Sequence, residues 1–434
     1  MIGSVEVRGF KAIGADPVSL EFRPLTLLVG PNGSGKSTVL EAVALLVQSI
    51  RPRRRIGLVW DGPLVNLGDD TTPLYHGNNT DQPLRVQVTV QPPGSDERIR
   101  IWFSVCGETA DRTGEWEQGI GVGAREVVFQ REAAGPRAYL KLARLSGAEP
   151  AVSVNVSGSI DAFLDRGLFL ASDTDDPELQ GRLLAWKLVA DRAADALAPH
   201  GVRYLSALRG GPLMDLAASK DRPRCAGRYG EDTIRLLSSL KAEGHRSRRE
   251  YLEGVARRFG LGDLQAGWSG GERLTATFED PGTGVRLPVF QAGFGSQQAL
   301  PAIVDFADAE PGTTVMVEEL EHSCHPDWVA EWGVVLAETV RDRKVQIVGT
   351  THAPDLVLAV LAAVRRGVLQ PADVAVYEFR REGGVVRASR VELDRRGLPE
   401  RGWIRSFAEA ESRLFDDLLN EADDSLASPG GAGT

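Results

Sequence analysis

The stretch Gly30-Pro-Asn-Gly-Ser-Gly-Lys-Ser-Thr38 decides the fold. It fits the pattern GxxxxGK[ST], with Gly30, Gly35, Lys36 and Ser37 on the fixed positions. The apolar run Leu25 to Val29 before it predicts a buried strand, and Val39 to Val47 after it predicts a helix. Strand, loop and helix in that order are the context the motif needs. Glycines, Gly33 included, let the backbone turn tightly and aim its N–H groups at an anion. The helix start adds unpaired donors and the positive end of its dipole. Pro31, Asn32, Ser34 and Thr38 complete the loop that is expected to wrap a nucleotide. Lys36 is placed to reach the β- and γ-phosphates, and the Ser37 hydroxyl to ligate Mg²⁺. ATP and Mg²⁺ are therefore the expected cofactors.

Working outward, 434 residues can bury one large core plus appended lobes. A hydrophobic content of 42% with 25% charge fits a globular chain and argues against a disordered one. The net charge of −10 argues against a basic coat and leaves room for a local basic groove. Arg51-Pro-Arg-Arg-Arg55 and His245-Arg-Ser-Arg-Arg249 are the clusters to follow, either as solvated faces or as nucleic-acid contacts. Cys106, Cys225 and Cys324 lie far apart and suggest a reducing compartment without a disulfide framework. No run is long and apolar enough for a bilayer, and the chain enters a strand pattern at once, without a signal peptide. A cytoplasmic protein with no membrane partner is expected.

In chain order, Ser4 to Arg8 and Val18 to Phe22 predict two strands. Lys11, at the end of the first, either reaches the nucleotide or is a solvated lysine. Leu84 to Val90, Arg98 to Val105, Glu126 to Arg131, Ala138 to Leu145 and Ala151 to Val156 read as strands. Phe163 to Leu170 and Leu179 to Leu197 read as helices around a break at Asp173 to Pro177. Val202 to Leu208 is a short buried strand, followed by helical patterns at Thr233 to Leu240 and Arg249 to Phe259. Leu274 to Phe278 and Val285 to Gln291 flank the turn Asp280 to Gly284 as a hairpin. A helix follows at Ala299 to Ala307, then a strand at Thr314 to Val317, a helix at Trp328 to Arg341 and a strand at Val345 to Val348. Val374 to Arg380 and Val385 to Leu393 close the series. The expected fold is α/β, a P-loop NTPase of the ABC head type with a β-rich insertion and an α-helical lobe. Its ATPase core lies at 1–59 and 269–420. The insertion with its helices lies at 60–200, a return strand and the α-helical lobe at 201–268, and a disordered tail at 421–434.

The second half of the site follows from strand ends. Glu318 and Glu319 end the strand of Thr314 to Val317. Glu318 is assigned to Mg²⁺, through water, and Glu319 to the base that polarises the attacking water. His352 ends the next strand, about 33 residues on, where it can contact the γ-phosphate. Lys36, Glu319 and His352 form the expected catalytic set. Two segments compete for the loop that closes on the γ-phosphate from an opposing subunit. Trp268-Ser-Gly-Gly-Glu272 leads into a strand, whereas Gly293-Phe-Gly-Ser-Gln-Gln298 opens a helix about 24 residues before Glu319. A helix start supplies donors and a dipole, so Gly293, Gly295, Ser296, Gln297 and Gln298 are chosen, and Ser269 to Glu272 is taken as a loop. His322, Cys324, His325 and Glu321 invite a zinc reading, but their spacing is too tight for one tetrahedral site without distant ligands.

With these motifs in place, the chain resembles the ABC-type ATPases of the overcoming-lysogenization-defect (OLD) and RecF/SMC-like group. It looks most like stand-alone bacterial "AAA family ATPase" proteins without a nuclease domain. The resemblance rests on VEVRGFKAIG and LTLLVGPNGSGKSTVLEAVALL, on LVNLGDD (Leu64 to Asp70) and on YLSALRGGP (Tyr204 to Pro212). It also rests on GFGSQQALP and on Glu318-Glu-Leu-Glu-His-Ser-Cys-His-Pro326. It runs from residue 1 to about 410. Gln297 stands at the family's signature Ser position, with Ser296 one place early. Leu320 stands for its Pro, Ser323 for its first His, and Arg209 at the place of the Q-loop glutamine.

The resemblance implies a homodimer around two ATP molecules, each P-loop facing the other subunit's GFGSQQ helix. It also implies work in anti-phage defence or DNA maintenance, with DNA and a separately encoded nuclease or toxin as candidate partners. An ATP-binding scaffold with slow or partner-dependent hydrolysis is the alternative that Gln297 and Arg209 keep open. Full OLD proteins carry a Toprim nuclease, needing a Glu and an Asp-x-Asp. Roughly 80 residues follow His352, and Glu409, Asp416 and Asp417 fall in an amphipathic helical pattern, so an intrinsic nuclease is the weaker reading.

Overall fold

β1 (Ile2–Arg8) and β2 (Val18–Glu21) pair antiparallel, and β3 (Leu25–Val29) leads through the glycine loop into α1 (Lys36–Ile50). The structure is a computed structural model that describes residues 1–50, 58–68, 83–92, 94–106, 115–134, 137–145, 177–197, 201–209, 216–217, 222–242, 246–269, 273–400, 404 and 407. The strand expected at Ala151 to Val156, the helix at Phe163 to Leu170, the break at Asp173, the basic cluster at Arg51, the tail at 421–434 and Glu409, Asp416 and Asp417 lie outside the described residues.

A meander follows: β4 (Leu84–Val90), β5 (Ile99–Cys106), β6 (Glu115–Val122), β7 (Arg125–Ala134) and β8 (Arg137–Leu145), then α2 (Pro177–Leu197). These strands do not form a sheet of their own. β4 pairs with β1, giving a seven-stranded antiparallel sheet in the order β2-β1-β4-β5-β6-β7-β8. The sheet therefore runs across the boundary expected at residue 59. β6 was not expected, and it lies inside this sheet between β5 and β7.

β9 (Val202–Leu205) precedes β10 (Leu216–Ala217), α3 (Thr233–Ala242), α4 (Arg246–Arg258), β11 (Gly262–Ser269), β12 (Arg273–Glu279) and β13 (Arg286–Pro288). β10, β11, β12 and β13 form a second antiparallel sheet. Both helices expected of the α-helical lobe are present, as α3 and α4; what was not expected is the small sheet they pack on, in which Gly262–Ser269 is a strand.

α5 (Phe294–Asp308), β14 (Thr314–Glu318), α6 (Pro326–Glu338), β15 (Gln346–Thr351), α7 (Pro354–Arg365), β16 (Val374–Glu382) and β17 (Val385–Val391) complete the described elements. The central sheet has the order β17-β16-β3-β15-β14-β9, with β16, β3, β15, β14 and β9 parallel. Both its faces are covered, which explains the continuous apolar runs read from the sequence. Leu25, Leu27, Val29, Val315 and Val317 face one core, with α5, α6 and α7. Leu28 and Met316 face the other, filled by α1 and the seven-stranded sheet. Register places Glu318 beside Thr350, and Thr351 beside Val29. The carboxyl ends of β3, β14 and β15 thus lie level, the edge where such sheets bind ligands.

Candidate nucleotide site

The loop after β3 rests on the β16–β17 hairpin. Gly30 has φ 140° and Gly35 has φ 102°. A Cβ on Gly30 would lie 2.3 Å from the Phe379 carbonyl oxygen, and one on Gly35 would lie 2.9 Å from Val386 Cγ1. Only glycine satisfies both the angle and the approach. Lys36 is 5% exposed, and its Nζ donates to the carbonyls of Gly30 at 2.8 Å and Pro31 at 2.9 Å. Ser34 Oγ is buried with no hydrogen-bond partner among the described residues.

Burial pushes the Lys36 ammonium down to about 8, against the pull of Glu319, Glu321 and Glu318. A triphosphate beside it would favour the charged form and raise it again. Binding therefore takes up a proton above pH 8, and affinity falls as pH rises past that point, by up to about tenfold per pH unit. Calorimetric titration of ATP at about pH 7 and about pH 9.5, in buffers of different ionisation enthalpy, should show this proton uptake only at the higher pH. Equal affinity at both would contradict it.

Glu318 is 6% exposed at the end of β14. Its Oε2 accepts from Ala207 N at 3.2 Å, while Oε1 is buried with no partner of good hydrogen-bond geometry among the described residues. Burial raises its carboxyl, and the neighbouring Ser37 hydroxyl and Ala207 N–H offset part of that rise. An idle buried carboxylate oxygen next to the loop hydroxyl is a donor set that fits Mg²⁺. Sequence reasoning missed Ala207 and the buried Tyr204, whose hydroxyl also approaches this carboxyl.

Glu319 follows at φ 44°, a left-handed conformation that a residue with a side chain rarely takes. Its N–H donates to the Thr350 carbonyl at 3.0 Å. Its Oε1 lies 3.2 Å from His352 Nε2. That hydrogen bond holds the Glu319 carboxyl below its usual range. An ionised carboxylate oriented by an imidazole can accept a proton from water. His352 is thus brought to Glu319. Glu321 Oε1 accepts from Thr351 Oγ1 and from His352 N, each at 2.7 Å, and so fixes the end of β15. This role of Glu321 was not foreseen, because only the pairing of β14 with β15 brings the two segments together.

The GFGSQQ segment opens α5 five residues earlier than the expected Ala299. Gly293 is its N-cap and gives no side-chain cap, and Phe294 beside it is 54% exposed. The side chains of the next residues turn inward. Ser296 Oγ donates to the Phe259 carbonyl, Gln297 Nε2 to those of Phe290 and Ala292, and Gln298 Nε2 to that of Arg209. What this helix start offers a ligand is backbone N–H, not the Ser296 hydroxyl. A Cβ on Gly295 would lie 2.8 Å from the Ser323 carbonyl oxygen. Ser269 and Arg273 are paired residues of β11 and β12, so no helix starts directly after Trp268-Ser-Gly-Gly-Glu272.

Lys11 is engaged by α1: its Nζ meets Glu41 Oε2 at 2.5 Å. Arg246 pairs with Glu250, and Arg248 with Asp308 and the Glu310 carboxylate, so two arginines of the second basic cluster are tied to acids. No group of three or more His, Cys, Asp or Glu among the described residues is arranged to hold a metal ion, which leaves the zinc reading of His322, Cys324 and His325 without support.

Two known domain families match segments of the chain. One is described as "AAA ATPase domain" and matches residues 1–104. The other is described as "AAA domain, putative AbiEii toxin, Type IV TA system" and matches residues 218–359. Both matches are to AAA-type ATPase domains, and each covers less than half of the chain. The first segment holds Lys36 and the second holds the GFGSQQ helix and both site carboxylates of β14 and its end, with His352. Among curated relatives, "Chromosome partition protein Smc" of Mycolicibacterium paratuberculosis is 34% identical over 103 residues, 23% of this chain and 8% of that protein. The protein of the same name from Mycobacterium tuberculosis is 33% identical over 103 residues. The chain thus spans about 8% of the length of these relatives. Among solved structures, the "SMC head domain from Thermotoga maritima" aligns with a TM-score of 0.42 at 15% identity, over 90% of this chain and 99% of that one. The Smc head of Pyrococcus furiosus, bound to the C-terminal domain of ScpA, aligns with a TM-score of 0.44 at 11% identity, over 96% and 99%. No helix among the described residues is long and apolar enough to cross a membrane.

Proposed function

We propose that this chain is an ATP-hydrolysing switch of the ABC-type OLD / RecF-SMC-like group. Two copies close on two ATP molecules, each P-loop facing the other copy's α5. The observation that supports this best is the start of α5: it has no side-chain cap, exposes Phe294 and turns its polar side chains inward, so no side chain of its own caps its first N–H groups. Lys36 holds the β- and γ-phosphates. Ser37 and Glu318 would hold Mg²⁺, which neutralises phosphate charge when bound. Glu319 accepts the proton of the attacking water while His352 Nε2–H orients it. Loss of the γ-phosphate then removes what joins the two copies.

Anti-phage defence or DNA maintenance in the cytoplasm, with a separately encoded nuclease or toxin and with DNA as a further partner, is the context. The toxin–antitoxin description of the family matching residues 218–359 and the chromosome-partition name of the relatives support it. A phosphate-release assay tests the hydrolysis: turnover in the wild type, abolished by Lys36→Ala, is expected. Gln297 and the buried Arg209 favour a second reading, a scaffold that binds ATP without hydrolysing it. Tight ATP binding with no phosphate release by the wild type would select that scaffold.

A further inference from the structure

Arg209 is left over by the roles above. It follows β9 at the same sheet edge as the site carboxylates and is 4% exposed. Its Nη2 donates to the main-chain carbonyl of Glu319 at 2.5 Å. Its Nε and Nη1 are buried with no hydrogen-bond partner among the described residues. Its own carbonyl accepts from Gln298 Nε2 at 3.1 Å, and Gln298 is 2% exposed on α5. A buried guanidinium with idle donors is unfavourable by itself. Glu321, Glu318 and Glu319 surround this one with opposite charge. One residue thus touches the helix that opens with GFGSQQ and the main chain of the carboxylate-bearing turn.

We propose that Arg209 is a positioning residue that ties the start of α5 to the placement of Glu319. This rests on the reading of Glu319 as the base and α5 as the contact across the dimer. Gln298 carries a movement of α5 to the Arg209 main chain. The guanidinium passes it to Glu319, whose φ of 44° leaves little slack. Closure of α5 on one nucleotide therefore sets the base that serves the other.

The test is a double-mutant cycle on ATP hydrolysis with Arg209→Gln, Gln298→Leu and the pair. Each single change should lower kcat about 10- to 100-fold, with KM for ATP within about threefold. The double variant should lose no more than the worse single one. A packing role alone would raise KM, lower Tm and give losses that add. Additive losses, or kcat within about twofold of wild type in Gln298→Leu, overturn the proposal. Should Arg209→Gln fail to fold, Arg209→Lys replaces it in the cycle, since it keeps the charge and loses the guanidinium fork. A wild type without turnover removes the proposed function and this coupling together. A wild type that turns over beside unaffected variants removes the coupling alone.

Discussion

Glu319→Gln is expected to bind ATP as the wild type does and to lose turnover by about 10²- to 10⁴-fold. Glutamine keeps the shape and still accepts the hydrogen bond from His352 Nε2, which lies 3.2 Å from Glu319 Oε1. It cannot take a proton from water. The bond that holds the Glu319 carboxyl below its usual range keeps the native residue ionised through neutral pH, so the loss should appear across that whole range. With the γ-phosphate retained, the variant should stay dimeric in ATP and return to monomer in ADP. Phosphate release and light scattering in each nucleotide check this. A variant that turns over normally, or stays monomeric in excess ATP, contradicts it.

Gly30→Ala should be as damaging for a different reason. At φ 140° an alanine is strained, and its Cβ would sit 2.3 Å from the Phe379 carbonyl oxygen. That oxygen belongs to the backbone of β16 and cannot swing away. Strain and displacement together should cost about 2–4 kcal/mol and lower Tm by several degrees. Moving the loop also breaks the carbonyl contact of Lys36, so ATP affinity should fall at least about 100-fold. Gly33 supplies the control: its φ is 72° and a Cβ there meets no atom of the described residues within 4 Å. Gly33→Asn should cost little in Tm, since Asn tolerates that region. Thermal melts and ATP titration separate the two. Equal behaviour of the two variants would refute the close approach of the loop to β16.

The parts of the fold that could be read in advance are those whose signal is local. β3, its loop and α1 are fixed by motif and flanks. β14 and β15 declare themselves through the short apolar runs Val315 to Val317 and Ile347 to Val348, as parallel strands covered on both faces do. That GFGSQQ opens a helix was legible from its place before the acidic strand end, although the helix begins at Phe294 and not at Ala299. The parts that escaped depend on distant partners. β6 reads as a loop because Gly119 and Gly121 interrupt it. Gly119 pairs with Trp102 on β5, and a Cβ there would lie 2.0 Å from the indole, so the glycine makes room for a ring far away in sequence. β11 is likewise hidden by its glycines and by how little it gives the core, Leu264 with the small Ala266 beside it. The pairing of β4 with β1 crosses more than 70 residues and leaves no periodic mark. At the site, Glu318, Glu319 and His352 follow from strand ends, but the links made by Glu321 and Arg209 exist only once β9, β14 and β15 lie side by side.

Two copies sharing each nucleotide, one through Lys36 and the other through the first N–H groups of α5, should be visible in a crystal structure of Glu319→Gln with ATP. The γ-phosphate of a nucleotide held by one copy's Lys36 is expected within hydrogen-bond distance of α5 of the second copy, at Gly295. A bound triphosphate with no α5 start near it, from either copy, would rule this sharing out.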